Sequence, residues 1–506
     1  MVLLVLVVGG IAWYQIRVAA PNIQVPVAVE YVDSIAVLPL ENLTGDAEYD
    51  LVGMGVTEQI IAHLARIPQL KVISRHSVQA IGDQSLTFPQ LGNLLQVRHI
   101  IDGTVSIEND ALLVSLRHTN AQNNARIWTQ DIRGPRDDLV GIQEQIARFT
   151  TDKVVATLPG VDAPLDKSHA GAGPGQEAYL AGRQWLGLRT FDGVNNAIKE
   201  FNRAIDLDPG YAPAYADLAS AYALAVSYRY DIGDADTYEL AARSLALAER
   251  SLALDPNLAA AFATRGLLGA MIGRSADRVA NDFDRAAELQ PNAASIPSWR
   301  ARSLAQLGQY EEAVSEATRA IELDPLAPGR HIALAELSLQ LGNYDQAISS
   351  ARSAIALEPA IIRSRAIEAR ALLLRGDAEE CAALPLGPHR VLRASCLEAS
   401  GRPAEASTIV AEVLADIRND RKPGNGYNEV IQYEDLAIDF ALRGDARNAL
   451  FWAATAYSAS PVGIEIRMLE SALFDKVRHQ PEFSEPIAAI RADLYERVRR
   501  DSERLR

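Results

Sequence analysis

The residue types that could carry chemistry are present but dispersed. The eight histidines, at positions 63, 76, 99, 118, 169, 331, 389 and 479, form no short metal-binding pair, and the chain has neither His-Glu-x-x-His nor Cys-x-x-Cys spacing. Gly171-Ala-Gly-Pro-Gly175 is not followed by Lys-Ser or Lys-Thr, and no strand leads into it, which makes it linker rather than phosphate cradle. Glu41, Asp46 and Asp50 share one loop without the acidic rhythm of a Ca²⁺ site, so solvated carboxylates are expected there. Cys381 and Cys396 are the two cysteines. In an oxidising compartment they could pair, closing a loop worth about 3 kcal/mol in the chain-entropy model. The alternative is two buried thiols on helices, which so low a cysteine count favours. No nucleophile, base or metal set converges, so no catalytic residue, metal or cofactor is assigned and no enzyme is expected.

Length and charge bound the class. A chain of 506 residues is too long for one core, and 48% hydrophobic with 23% charged residues describes folded domains. The net charge of −16 is spread along the chain and leaves no basic stripe to neutralise phosphates, which argues against direct nucleic-acid binding. Met1 to Trp13 is nearly all apolar, shorter than the roughly 20 residues a bilayer span needs. Residues 1–20 are expected to be a transmembrane or signal-anchor helix whose cytoplasmic start precedes this chain, with Trp13 and Tyr14 at the interface and the rest outside. Val18-Ala-Ala20 offers a cleavage site, and a buried helix is the alternative.

A phrase recurs further on: Ala204-Ile-Asp-Leu-Asp-Pro209, Ser251-Leu-Ala-Leu-Asp-Pro256, Ala286-Ala-Glu-Leu-Gln-Pro291, Ala320-Ile-Glu-Leu-Asp-Pro325 and Ala354-Ile-Ala-Leu-Glu-Pro359. From Pro256 to Pro291, Pro325 and Pro359 the steps are 35, 34 and 34 residues. That period predicts stacked helix pairs, since each pair leaves an apolar face that the next must cover. Ala313, Ala317 and Ala320, like Ala347, Ala351 and Ala354, form stripes of small residues that allow close helix approach. Gly308 and Gly342 suit the turns between paired helices. Between Pro209 and Pro256 the extra residues of Ser227–Tyr238 must lengthen the helices or loop out, and past Pro359 the phrase fades, returning with Ala446 to Pro461. Gly387-Pro-His389 and Lys422-Pro-Gly-Asn-Gly426 are expected loops.

The pattern resembles the tetratricopeptide repeat, most closely from Asn292 to Pro359. The resemblance implies a peptide groove lined by first-helix side chains: Ser298, Arg302 and Gln306, then Ile332, Glu336 and Gln340. The Lys and Asn of the family's carboxylate clamp are not at these positions, so capture of an acidic C-terminus is not implied. A solvated face is the alternative.

Before the repeats, expected strands at 34–40, Leu70–Arg75, His99–Ile107, Ala111–Thr119 and Ala125–Ile132 alternate with helices at Val56–Ile67, Leu91–Val97 and Leu139–Leu158, and Glu108-Asn-Asp110 is a hairpin turn. This predicts a small mixed sheet covered by helices. Asp33-Ser-Ile-Ala-Val-Leu-Pro-Leu-Glu-Asn-Leu-Thr-Gly-Asp46, Gly53-Met-Gly-Val-Thr-Glu-Gln-Ile60, Leu64-Ala-Arg-Ile-Pro-Gln-Leu-Lys-Val-Ile-Ser-Arg75 and Asp102-Gly-Thr-Val105 resemble, in order, the TolB amino-terminal-like domain. That domain precedes tetratricopeptide repeats in many bacterial membrane proteins, with a winged-helix or cyclase domain before the membrane.

The expected fold is α+β multidomain: a TolB-like α/β domain at 33–158, a linker at 159–176, an all-α solenoid at 177–461 that is degenerate over 360–427, and capping helices at 462–506. The expected function is a non-catalytic scaffold or sensor, tethered in the bacterial inner membrane with its bulk periplasmic, that binds a protein or peptide partner through the repeats. The alternatives are the regulatory remainder of a membrane cyclase or winged-helix regulator, and an envelope assembly factor.

Overall fold

Residues Ile35, Ala36 and Val37 are fully buried although they alternate between the two faces of a strand, the mark of a strand covered on both sides. Both covers come from this chain. The computed structural model describes residues 32–46, 48–79, 81, 86–136, 139–161, 175–188, 190–228, 230, 232–233, 237–418, 426–459 and 472–504.

The N-terminal elements are β1 (Asp33–Val37), β2 (Glu41–Asn42), α1 (Glu48–Leu64), β3 (Leu70–Val72), α2 (Arg75–Gln79), α3 (Phe88–Leu95), β4 (His99–Glu108), β5 (Ala111–Asn120), β6 (Arg126–Pro135) and α4 (Leu139–Thr157). The strands form one mixed sheet in the order β3-β1-β4-β5-β6, with β2 alongside β4. β1 runs parallel to β3 and β4, and β4, β5 and β6 are antiparallel neighbours. Asn109 and Asp110 both take positive φ, 50° and 64°, the geometry of the two-residue hairpin turn that matches strand twist. On one face Val56, Ile60 and Leu64 of α1 pack with Ile142, Ile146 and Val154 of α4 over Ile35, Val37 and Ile101. On the other, Val78, Leu91 and Leu95 pack with Ala36 and Ile100.

Several boundaries differ from the sequence expectation. β1 stops at Val37 because Pro39 has no N–H for the ladder, and the chain rejoins the sheet only briefly as β2. α1 begins at Glu48, eight residues before the amphipathic run at Val56, because Tyr49 and Val52 extend its buried face. The strand at Leu70 ends at Val72, and Arg75 opens the short helix α2 instead.

The repeats follow as α5 (Gln176–Gly187), α6 (Phe191–Leu207), α7 (Ala212–Tyr228), α8 (Thr237–Leu254), α9 (Ala259–Met271), α10 (Ala276–Leu289), α11 (Ser295–Gln306), α12 (Tyr310–Leu323), α13 (Pro328–Gln340) and α14 (Tyr344–Leu357). Then come α15 (Ile362–Arg375), α16 (Ala378–Ala383), α17 (Arg390–Ala399), α18 (Pro403–Arg418), α19 (Gly426–Leu442) and α20 (Ala446–Ala459), a 3-10 turn at Ala472–Phe474, and α21 (Pro481–Arg504). Among the described residues no strand occurs after β6. Each odd-numbered helix from α5 to α19 packs on the helix that follows it, and α21 packs against both α20 and α8. The Ser227–Tyr238 insertion is resolved both ways, since α7 and α8 reach 17 and 18 residues and loop residues remain between them. Apart from Gly175, the glycine run at 171–175 lies outside the described residues, as do the Met1–Trp13 run and positions 422–425.

Small residues set the helix spacing. Ala313, Ala317, Ala347, Ala351 and Ala354 are buried in the contacts between helices. Gly308 and Gly342 take φ of 80° and 74° in the turns, a conformation that costs glycine little. Where a phenylalanine fills the stripe, a glycine faces it: a Cβ on Gly182 would lie 2.6 Å from the Phe201 ring, and one on Gly266 would lie 2.8 Å from that of Phe283.

Gly266→Val should therefore force the Phe283 ring out of place and cost about 1–3 kcal/mol. Urea unfolding of the variant against the unaltered chain measures the loss.

Candidate functional site

The α/β domain is docked on the repeats through turns. Three of the five phrases have aspartate before proline, and in two of them it serves its own turn: Asp208 Oδ1 accepts from Gly210 N–H at 3.0 Å and Asp255 Oδ1 from Asn257 N–H at 2.9 Å. Asp324, at the same place in the phrase, turns elsewhere. Its Oδ1 accepts from the hydroxyls of Ser74, at 2.5 Å, and Ser77, at 2.7 Å, both beside or in α2. Its Oδ2 lies 3.4 Å from the Arg330 guanidinium, and carboxylate and guanidinium are both almost completely buried. Ser74 N–H donates to Leu323 O at 3.0 Å, Leu326 N–H donates to Ser77 Oγ at 2.9 Å, and Leu326 packs into the apolar cluster under α2 and α3. One repeat earlier, Asn292 donates from its backbone to Ala65 O and from Nδ2 to Ile67 O, at 3.3 and 2.7 Å.

A third contact is ionic. Glu58 of α1 accepts from Arg75 at 2.8 Å and from Arg183 of α5 at 2.9 Å. Arg183 also lies 3.7 Å from Asp217 of α7, whose other donor is the Tyr179 hydroxyl at 2.9 Å. Burial pushes the Arg183 guanidinium down, but Glu58 and Asp217 outweigh it and hold the group above its usual range. Burial drives the Tyr211 hydroxyl up to about 12. Between α1 and the first helices of four repeats lies a cavity of about 450 Å³, lined by Glu58, Gln59 and His63 on one side and by Tyr179, Asp217, Ala263 and Trp299 on the other.

The six groove positions lie on α11 and α13. All are half-buried, and none lines that cavity. Glu336 pairs with Arg363 at 2.6 Å, and Gln340 donates to the Tyr310 hydroxyl at 3.0 Å, so both are engaged within the array. Ile332 packs beside the Ala335 and Leu339 cluster. Ser298 and Gln306 are exposed in part, as is Arg302. Cys381 on α16 and Cys396 on α17 are joined as a disulfide, with Cα atoms 5.5 Å apart. In the 41–50 loop Asn42 Nδ2 donates to Asp46 O and to Asp50 Oδ1, both at 2.8 Å, so the loop is tied by its own hydrogen bonds. Among the described residues no group of three or more His, Cys, Asp and Glu is placed to hold a metal.

Two buried polar chains were invisible in the sequence, because their members lie far apart along it. Asp435 on α19 accepts from His389 at 2.9 Å and from Arg370 at 3.1 Å; burial pushes this carboxyl up, and the two bases together hold it below its ordinary value. In the sheet, Asp33 Oδ2 lies 3.2 Å from His99 Nε2, whose Nδ1 lies 3.0 Å from His118 Nε2. Burial, with His99 adding to it, lowers His118 to about 3, although Asp33 pulls the other way.

The family model of the tetratricopeptide repeat matches residues 304–360, and this part of the chain carries tetratricopeptide repeats. A protein of Rhizobium meliloti (strain 1021) named "Putative adenylate cyclase 3" is 26% identical over 189 residues, which are 37% of this chain and 32% of that protein. The chain thus spans about a third of the length of that curated relative. Among solved structures, a thermophilic tetratricopeptide repeat protein of Thermus thermophilus is 22% identical, with a TM-score of 0.31 covering 39% of this chain and 99% of its own. A tetratricopeptide repeat protein from Parabacteroides merdae is 14% identical, with a TM-score of 0.32 covering 64% and 99%.

His118 supplies a pH test. An unfolded histidine takes up its proton near pH 6.5, whereas folded His118 does not until about 3, so the folded state loses stability as pH falls through that window. At roughly 1.4 kcal/mol per pKa unit the full loss is a few kcal/mol. His118→Gln keeps a donor for His99 and has no proton to take up. Urea unfolding between pH 7 and 4 should show a flatter acid slope for that variant.

Proposed function

We propose that the chain is a non-catalytic scaffold that binds a protein partner through its repeats. The observation that supports this most is that the six first-helix positions on α11 and α13 are half-buried and do not line the cavity covered by the α/β domain. Tetratricopeptide repeats serve as surfaces for protein interaction, and Ser298 and Gln306 offer hydrogen bonding to orient a peptide. The resemblance of residues 33–158 to the TolB amino-terminal-like domain and the apolar run Met1–Trp13 support a membrane-tethered scaffold in the cell envelope. That run lies outside the described residues, and among the described ones no helix is long and apolar enough to cross a membrane.

A second reading is the regulatory part of a larger cyclase. It is favoured by the relative named for adenylate cyclase, of which this chain matches only a part.

Charge reversal at Glu336 would break its pair with Arg363 and confuse folding with binding, so the test uses Ser298→Arg with Gln306→Glu. Pull-down from envelope extracts with the full chain should recover a partner, and that double variant should lose it while keeping its melting temperature. Nucleotide turnover by the purified chain with no partner recovered would contradict the scaffold reading.

A further inference from the structure

The concave side of the first four repeats is roofed by the chain itself. Helix α1 turns Val56, Ile60 and Leu64 into the sheet core and presents Glu58, Gln59 and His63 to the cavity. The roof is held by polar anchors: Glu58 on Arg183, Asn292 on Ala65 and Ile67, and Asp324 on Ser74 and Ser77. Because a cavity of about 450 Å³ separates α1 from the repeats, much of this face is held off rather than packed dry. An occupant held that way is replaceable. Removing it would leave Arg183, with a quarter of its side chain exposed, the Tyr179 ring at 5.9 Å and one carboxylate, Asp217, at the longer distance of 3.7 Å, so an entering helix that returns a negative charge is favoured.

We propose that the concave face of these repeats is a groove for a helix carrying a carboxylate opposite Arg183, that α1 is its resident occupant, and that an outside helix of this kind enters when the anchors at Asn292 and Asp324 open. This rests on reading the repeats as a protein-binding surface and adds the occupant and the gate. The chemistry is that of a helix laid in a groove, with one buried ion pair fixing its register. The gate is local, since both anchors sit in turns between repeats and opening them leaves the alanine stripes intact.

The test uses the full chain and a labelled peptide of residues 48–67, with a second peptide carrying Glu58→Lys. By fluorescence anisotropy, the Asn292→Ala/Asp324→Ala chain should bind the first peptide at least about tenfold tighter than the unaltered chain does, and should reject the second. Adding Arg183→Glu should reverse that preference. If the double variant does not melt cooperatively, Glu58→Lys within the chain, which weakens the occupant and leaves both turns intact, should raise peptide binding in the same way. Equal binding of both peptides, or no binding by a folded variant, overturns the proposal. Should a partner sensitive to Ser298 and Gln306 still be recovered, only the gated groove falls and the scaffold reading stands.

Discussion

A single buried carboxylate fixes how the two halves of this molecule meet. Asp324 sits at a turn between repeats with two serine hydroxyls and one guanidinium on its oxygens. A charge so buried is tolerated only where its lone pairs are filled, and the donors come from both sides of the joint. Ser74 and Ser77 belong to the sheet domain and Arg330 to the next repeat, so the carboxylate is satisfied only when sheet, turn and repeat are assembled. The neighbouring contacts are weaker versions of the same device. Asn292 captures two carbonyls past the end of α1, and Glu58 divides its charge between Arg75 and Arg183.

The repeat architecture and the sheet are consequences of local pattern, and local pattern is what a sequence displays. Alanine stripes with a proline every 34 or so residues admit a stack of helix pairs and little else, and an apolar run before Pro39 with a hairpin at Asn109-Asp110 admits a small sheet. The joint is different. Asp208, Asp255 and Asp324 occupy equivalent places in the phrase, and nothing adjacent to Asp324 marks it as the one that leaves its own turn. Its partners lie some 250 positions away, at Ser74 and Ser77. Helix α2, which brings those serines to the joint, has no local signal of its own, since Leu70 to Arg75 has the residues of a strand.

The fading of the repeat phrase after Pro359 has a physical counterpart. There α16 is only six residues long, and the packing relies on other means. Asp435 of α19 is shared by Arg370 of α15 and by His389 in the turn before α17, and Cys381 and Cys396 join α16 to α17. Side-chain networks of this kind tie helices together without the small-residue stripe, so a period written in alanines disappears while the helix pairs continue. The six consensus groove positions show the limit of carrying a surface over by position alone. All six are half-buried, and Glu336 and Gln340 are spent on contacts inside the array.

The central claim is that the sheet domain and the repeats form one cooperative body, joined at the turns. Native-state hydrogen exchange on the full chain tests it most directly through three amides: Ser74, bonded to Leu323 O, Asn292, bonded to Ala65 O, and Leu326, bonded to Ser77 Oγ. All three should be protected and open together, with one shared free energy. Exchange of these amides at the rate of unstructured chain, while β4 and α12 stay protected, would contradict it.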